Sequence, residues 1–179
     1  MDQTSLLLQP QQQNEFNDKY IIHFLWVTSD QLVSSGEILN AIKCLETLII
    51  FNEQNENEHE IDYQILHKQF KKKEDKIKKK KKKLLEQQPN LIPFKMTPTE
   101  EAITRIKIAE LLFNYTHNYN DSRFYLEKAS LLLSVDQQSS TSLDLQTKIS
   151  SFLIDIFLYG NQINLIKQEI KKGLKYSKL

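Results

Sequence analysis

Asn118–Leu133 reads NYNDSRFYLEKASLLL. A helix normally fills the stripe that faces its neighbours with bulk. Here a small residue, Ser122, stands four places before Leu126 and seven before a second small residue, Ala129; Leu133 completes the stripe. Small residues at helical spacing let two backbones come close. Stacked helix hairpins need such positions, because each hairpin packs on two neighbours. The stretch therefore predicts the second helix of a hairpin in a helical-repeat solenoid.

Upstream lies MTPTEEAITRIKIAELLFNYTHN, from Met96 to Asn118. Thr97 suits an N-cap, Pro98 the first helical position and Glu100 the third, the pattern of a capping box. Ala102, Ile106, Ala109 and Phe113 then step by 4, 3 and 4, a helical stripe. Asn118–Asn120 is expected as a turn, with Asp121 capping the next helix. Downstream, DQQSSTS (Asp136–Ser142) is expected as a loop. Leu145, Ile149, Phe152, Ile156 and Tyr159 follow at helical steps, Gly160-Asn161 stops that helix, and a last helix places Ile163, Ile166, Ile170 and Gly173 on one side.

Toward the N-terminus, YIIHFLWVTSDQLV (Tyr20–Val33) is apolar on most sides and is expected as a helix buried between neighbours. Ser34-Ser35-Gly36 breaks it, and Ile38, Ala41, Leu45 and Leu48 form the next stripe. The expected organisation is a disordered segment over 1–15, a first hairpin over 16–51, an insertion over 52–92 and two further hairpins over 93–179. Few glycines (3) and prolines (4) favour helix throughout. The fold class is all-α, a tetratricopeptide-like α-solenoid of about three antiparallel hairpins. Ala109 matches the small residue of that repeat's first helix, and Ser122, Leu126 and Ala129 the small, bulky and small residues of its second. Arg105 stands where an aromatic is usual and Ser134 where a proline is. Ala129 and Gly173 lie 44 residues apart, against about 34 in a regular repeat.

Three longer stretches carry a resemblance. Pro93–Lys95, then EEAITRIKIAELLFNYTHNYNDSRFYLEKASLLL, then LIDIFLYGNQINLIKQEIKKGLKYS resemble the cohesin loading factor family, the tetratricopeptide-repeat subunit of the cohesin loader (MAU-type sister chromatid cohesion protein). ILNAIKCLETLI at Ile38–Ile49 is similar to that family's first hairpin. The resemblance covers about residues 20–51 and 93–178 and corresponds to the family's N-terminal repeats. Family members are several-fold longer, which implies an N-terminal part or a truncated version. The resemblance implies a channel that receives the extended N-terminal segment of the large HEAT-repeat loader subunit. It also implies a nuclear, chromatin-associated role in placing cohesin on chromosomes, with cohesin and chromatin as indirect partners.

In such repeats the first helix of each hairpin lines the inner surface. Glu110, Asn114, Asp155 and Tyr159 are the polar candidates there for contact with a partner segment. The insertion is charged at both ends: Asn52–Glu60 is acidic, and residues 68–83 hold eleven lysines against Glu74 and Asp75, although the whole chain is only +1. Lys71, Lys72, Lys73, Lys78, Lys79, Lys80, Lys81, Lys82 and Lys83 have three readings. They could give weak, salt-dependent, sequence-blind DNA contact, act as a nuclear-import signal, or form a solvated low-complexity spacer.

Other chemistry is poorly supported. His23, His59, His67 and His117 have no ligand spacing, so no metal site is expected. The single cysteine, Cys44, allows no internal disulfide, suits a reducing compartment and reads as a packing residue. Trp26 reads as core, with a partner anchor as its other role. Glu37, Glu100 and Asp121 sit at helix starts, where they complement the dipole. No phosphate loop, GxSxG, HExxH or dinucleotide fingerprint occurs. No secretory signal or membrane span is evident, and no cofactor or small-molecule substrate is expected. The expected function is that of a non-enzymatic scaffold in cohesin loading. A generic tetratricopeptide-type adaptor in a chaperone or ubiquitin-ligase assembly is the alternative.

Overall fold

Local chemistry sets the strongest helix boundary. In the computed structural model, residues 10–52, 95–134 and 139–176 are described. Among them are six helices and no strand: α1 (Pro10–Ser34), α2 (Ile38–Phe51), α3 (Pro98–Thr116), α4 (Tyr119–Leu133), α5 (Ser140–Tyr159) and α6 (Ile163–Tyr176). At the start of α3 the Thr97 side chain accepts from the Glu100 backbone N–H at 3.2 Å, and the Glu100 carboxylate accepts from the Thr97 backbone N–H at 2.8 Å. This is the capping box its spelling predicts; a cap of this kind is worth about 1 kcal/mol.

The reversal between α3 and α4 is tighter than the expected three-residue turn. His117 closes α3 in the left-handed region, at φ 51°, with its N–H donating to Leu112. Histidine is one of the residues enriched in that region. Asn118 follows at once and is itself the cap of α4, its side-chain oxygen accepting from the Asp121 backbone N–H at 3.2 Å. Asp121 is therefore the capped residue and not the cap. Gly36, at φ 82°, turns α1 into α2, and Asn161, at φ 51°, turns α5 into α6.

Three antiparallel hairpins result, α1/α2, α3/α4 and α5/α6. A buried serine sits at the seam of each. Ser29 donates to the Ala41 carbonyl (3.4 Å), Ser122 to the Ala109 carbonyl (2.9 Å) and Ser150 to the Glu169 carboxylate (3.1 Å). Between hairpins the core is closed by Ala41, Leu45, Leu48, Ile108, Ala109, Leu126, Ala129, Leu133 and Ile149, all buried. Trp26 is half-buried and donates its indole N–H to Thr104 at 3.0 Å, joining α1 to α3. It is a packing residue with a satisfied polar end.

The first helices run parallel to one another. Asp30 of α1 pairs with Lys107 of α3, 77 residues on, and Glu110 of α3 pairs with Lys148 of α5, 38 residues on. The first offset exceeds the second by 39 (77 less 38), which is close to the 42 residues of segment 53–94 between α2 and α3. Stacking of the first two hairpins thus proceeds as though that segment were absent. The reason is visible at its ends: the side-chain oxygen of Asn52, after α2, accepts from the backbone N–H of Met96, before α3, at 3.1 Å. Asn52 also donates to Glu101 at 2.7 Å, and Glu101 receives Arg105 through Nε (2.7 Å) and Nη2 (2.5 Å). Asn52, Glu101 and Arg105 are all buried.

Two expectations are corrected. α1 is not enclosed by neighbours: Tyr20, Ile21, Phe24 and Val27 are exposed, and the packed side is that of Ile22, Leu25, Ser29, Leu32 and Val33. Its apolar residues are spread round the helix, which hides from the sequence that only one side is covered. α6 likewise does not bury Ile163 and Ile170; its buried residue is Glu169, with Leu165, Ile166 and Gly173 beside it. In addition, α1 begins at Pro10, ahead of the apolar pattern that starts at Phe16.

Candidate functional site

Lys107 and Glu110 lie one turn apart on α3, so they share a face. They reach in opposite directions. Lys107 meets Asp30 of α1 at 2.9 Å, and Glu110 meets Lys148 of α5 at 2.5 Å. Both pairs are partly open to solvent, so each contributes little to stability, under about 1 kcal/mol. Their effect is geometric: they line up the first helices of all three hairpins behind one open face. On α3 that face continues to Asn114, which is exposed; on α5 it runs through Lys148, Ser151 and Asp155. On α1, Tyr20, Phe24, Val27 and Gln31 share the exposed stripe, with Tyr20 67% and Phe24 65% exposed. Val27, Asp30, Gln31, Ser34 and Ser35 line a depression at its end.

The far end of the face is aromatic. Tyr159 stacks on Tyr119 with ring centroids 4.7 Å apart and planes 13° from parallel. Phe113 meets Tyr119, Phe152 and Tyr159 edge-on at 5.4–5.9 Å. Tyr159 is nonetheless 66% exposed, so one side of its ring is held by the cluster and the other faces solvent. A ring fixed in this way offers contact area at low entropy cost.

The four residues singled out in the sequence therefore meet different fates. Asn114 and Asp155 are exposed, Tyr159 is exposed but anchored, and Glu110 is occupied by Lys148. The sequence reading missed the aromatic and apolar exposure on α1, because an apolar run reads as core until its neighbours are known. Lys71, Lys72, Lys73 and the lysines at 78–83 lie outside the described residues, as do His59 and His67. His23 and His117 are exposed, and among the described residues no cluster of His, Cys, Asp and Glu could hold a metal ion. Cys44 is half-buried and donates to the Leu25 carbonyl at 3.4 Å; burial pushes its thiol up from the ordinary range, which disfavours the reactive thiolate.

With the hairpins and their open face placed, comparison with known proteins decides the family. Residues 89–178, half of the chain, match the family model described as cohesin loading factor. The chain belongs to the cohesin loading factor family. The matched stretch holds α3 to α6, that is, the second and third hairpins with their seam serines Ser122 and Ser150. α1 and α2 precede it. No solved structure matches the chain. Membership assigns this cohesin loading factor to the machinery that loads cohesin, on which sister chromatid cohesion depends, and gives it a chromatin-related nuclear role. No helix among the described residues is long and apolar enough to cross a membrane.

Proposed function

We propose that the protein is a non-enzymatic scaffold in the nucleus whose open face, built from α1, α3 and α5, binds the extended N-terminal segment of the large HEAT-repeat subunit of the cohesin loader. The observation that carries this reading is the pair of divergent ion pairs on α3, Lys107 to Asp30 and Glu110 to Lys148, which aligns three first helices into one surface. An extended segment ordering on binding loses conformational entropy, and a long surface with anchored rings offsets that cost. Glu110, Asn114, Asp155 and Tyr159 are the proposed contacts. The apolar stripe of α1 supplies a second anchor through Tyr20 and Phe24.

Titration calorimetry of the full chain with a recombinant N-terminal segment of the large loader subunit tests the reading. Alanine at Glu110, Asn114, Asp155 and Tyr159 together is expected to weaken binding by tenfold or more, on the order of 1.4 kcal/mol. Unchanged affinity in the quadruple variant sinks this placement. The lysine tract enters as an auxiliary, sequence-blind contact with DNA. Replacing Lys71–Lys73 and Lys78–Lys83 with glutamine should flatten the dependence of duplex affinity on salt; an unchanged slope leaves the tract as a solvated spacer.

A further inference from the structure

Asp155 and Tyr159 stand four residues apart on α5, so their side chains are neighbours on the open face. Side chains on a helix lean toward its N-terminus, which carries the Tyr159 ring back over the turn of Asp155. Phe113 of α3 touches both Phe152 and Tyr159, so the ring stays on the side of α5 that faces α3. Tyr119 covers one face of that ring at 4.7 Å, while Tyr159 as a whole is 66% exposed. The outer face of a held ring therefore lies beside a carboxylate. Asp155 is exposed, and its carboxylate has no ion pair or hydrogen bond among the described residues. Lys148, two turns earlier, is taken by Glu110.

Charge and shape select the ligand. An aromatic face attracts a cation through its ring quadrupole, and the carboxylate adds a full negative charge. The first helices are parallel, so α3 and α5 bring their C-terminal ends, with their partial negative charge, to this end of the face. Neither carries a base in its last turn. The chain already satisfies the same combination internally: the Arg123 guanidinium lies 5.0 Å over the ring of Phe157, and its Nε donates to Glu127, four residues on, at 2.8 Å. Asp155 and Tyr159 repeat the ring and the carboxylate on an exposed surface. A planar guanidinium covers a ring and forks onto a carboxylate at once, which a compact ammonium does not. We propose that Asp155 and Tyr159 recognise an arginine side chain of the extended segment that lies on the open face. Which polypeptide supplies that segment rests on the loader-subunit reading above; the arginine site rests on the ring and the carboxylate.

Two probes test the site and its partner separately. The first is the capped tripeptide acetyl-Ser-Arg-Ser-amide, with twins carrying lysine or citrulline, the neutral isostere of arginine. Titrated into the full chain and followed by NMR, the arginine peptide should give saturable shifts at Asp155 and Tyr159. The lysine twin should bind about threefold or more weaker, and the citrulline twin should give no saturable shift. Asp155→Asn and Tyr159→Leu should each abolish binding and Tyr159→Phe should keep it, with circular dichroism checking that every variant retains its helices. No saturable shift with the arginine peptide, or equal affinity for the citrulline twin, overturns the proposal. The second probe is the recombinant N-terminal segment of the large loader subunit, in calorimetry. Asp155→Asn should weaken it about fivefold or more. Changing the segment's arginines to lysine should weaken binding to the parent chain and add nothing further against Asp155→Asn; equal losses against both chains overturn the arginine contact. The tripeptide decides the site whether or not the loader segment binds, so a failed partner reading is told apart from a failed arginine site.

Discussion

Ser122 donates its hydroxyl proton to the backbone carbonyl of Ala109 across 2.9 Å, with neither residue exposed to solvent. That bond needs α3 and α4 to approach until a serine side chain spans the gap between them. Replacing Ser122 by Ala removes one net hydrogen bond, about 1 kcal/mol, because the carbonyl can keep its partner within α3. Replacing it by Leu forces the helices apart and should cost about 1–3 kcal/mol or more. Urea titration followed by circular dichroism measures both. Equal stability of the Leu variant and the parent would mean that the seam is not closely packed.

Glu101 and Arg105 form a buried pair on α3, completed by Asn52. Glu101→Ala leaves the guanidinium buried without its carboxylate, and such a loss costs about 3–5 kcal/mol. Replacing both with Met removes the two charges together, and stability should return most of the way to the parent. Thermal unfolding of the parent and the two variants checks the order. A single variant as stable as the double would show that the pair is solvated.

Segment 53–94 leaves α2 and re-enters α3 at residues already tied together by Asn52 and Met96. A chain in which a short Gly/Ser linker replaces it should keep the stacking of α1, α2, α3 and α4 and unfold as cooperatively as the parent. Loop-closure cost grows only slowly with length, so its melting temperature should change by a few degrees at most. Loss of cooperative unfolding in the shortened chain would contradict the register argument drawn from Asp30–Lys107.

Tyr125 is buried and donates to Glu46 at 3.0 Å, linking α4 to α2. Burial first, and then the Glu46 carboxylate, push its phenol well above the ordinary tyrosine range. In the unfolded chain the same phenol ionises near pH 10. The stabilisation from the protonated phenol is therefore complete below about pH 10 and is lost as pH rises beyond it toward the folded-state value. Tyr125→Phe should be less stable than the parent at pH 8, by about 1 kcal/mol, and the gap should close or invert above about pH 10. A gap that stays constant with pH would remove this link.

Much of the fold was written locally. The capping box at Thr97–Glu100, the stop at Gly160-Asn161 and the stripes through Ala41, Leu45, Ala109, Ser122 and Ala129 depend on neighbours within a turn or two, and the structure places each as spelled. Arg105 looked like a defect in the repeat pattern until its partner Glu101 was seen four residues before it in a buried setting. Ser29 and Ser150 play the same seam role as Ser122, yet their flanking residues gave no sign of it, since a serine is ordinary on any helix surface.

Period and capping are properties of consecutive residues, and so the six helices and three hairpins among the described residues follow from the chain alone. Which apolar side of α1 or α6 is covered depends on where residues far away in sequence come to lie. Tyr20 and Phe24 are open because no described helix packs against that side of α1. Ile170 is open because Leu165, Ile166, Glu169 and Gly173, and not Ile163 or Ile170, form the covered side of α6. Glu110 carries a partner charge only because Lys148 arrives from the next hairpin. Those outcomes, and with them the proposed open face of α1, α3 and α5, are set by the stacking of hairpins in space, which no run of neighbouring residues encodes.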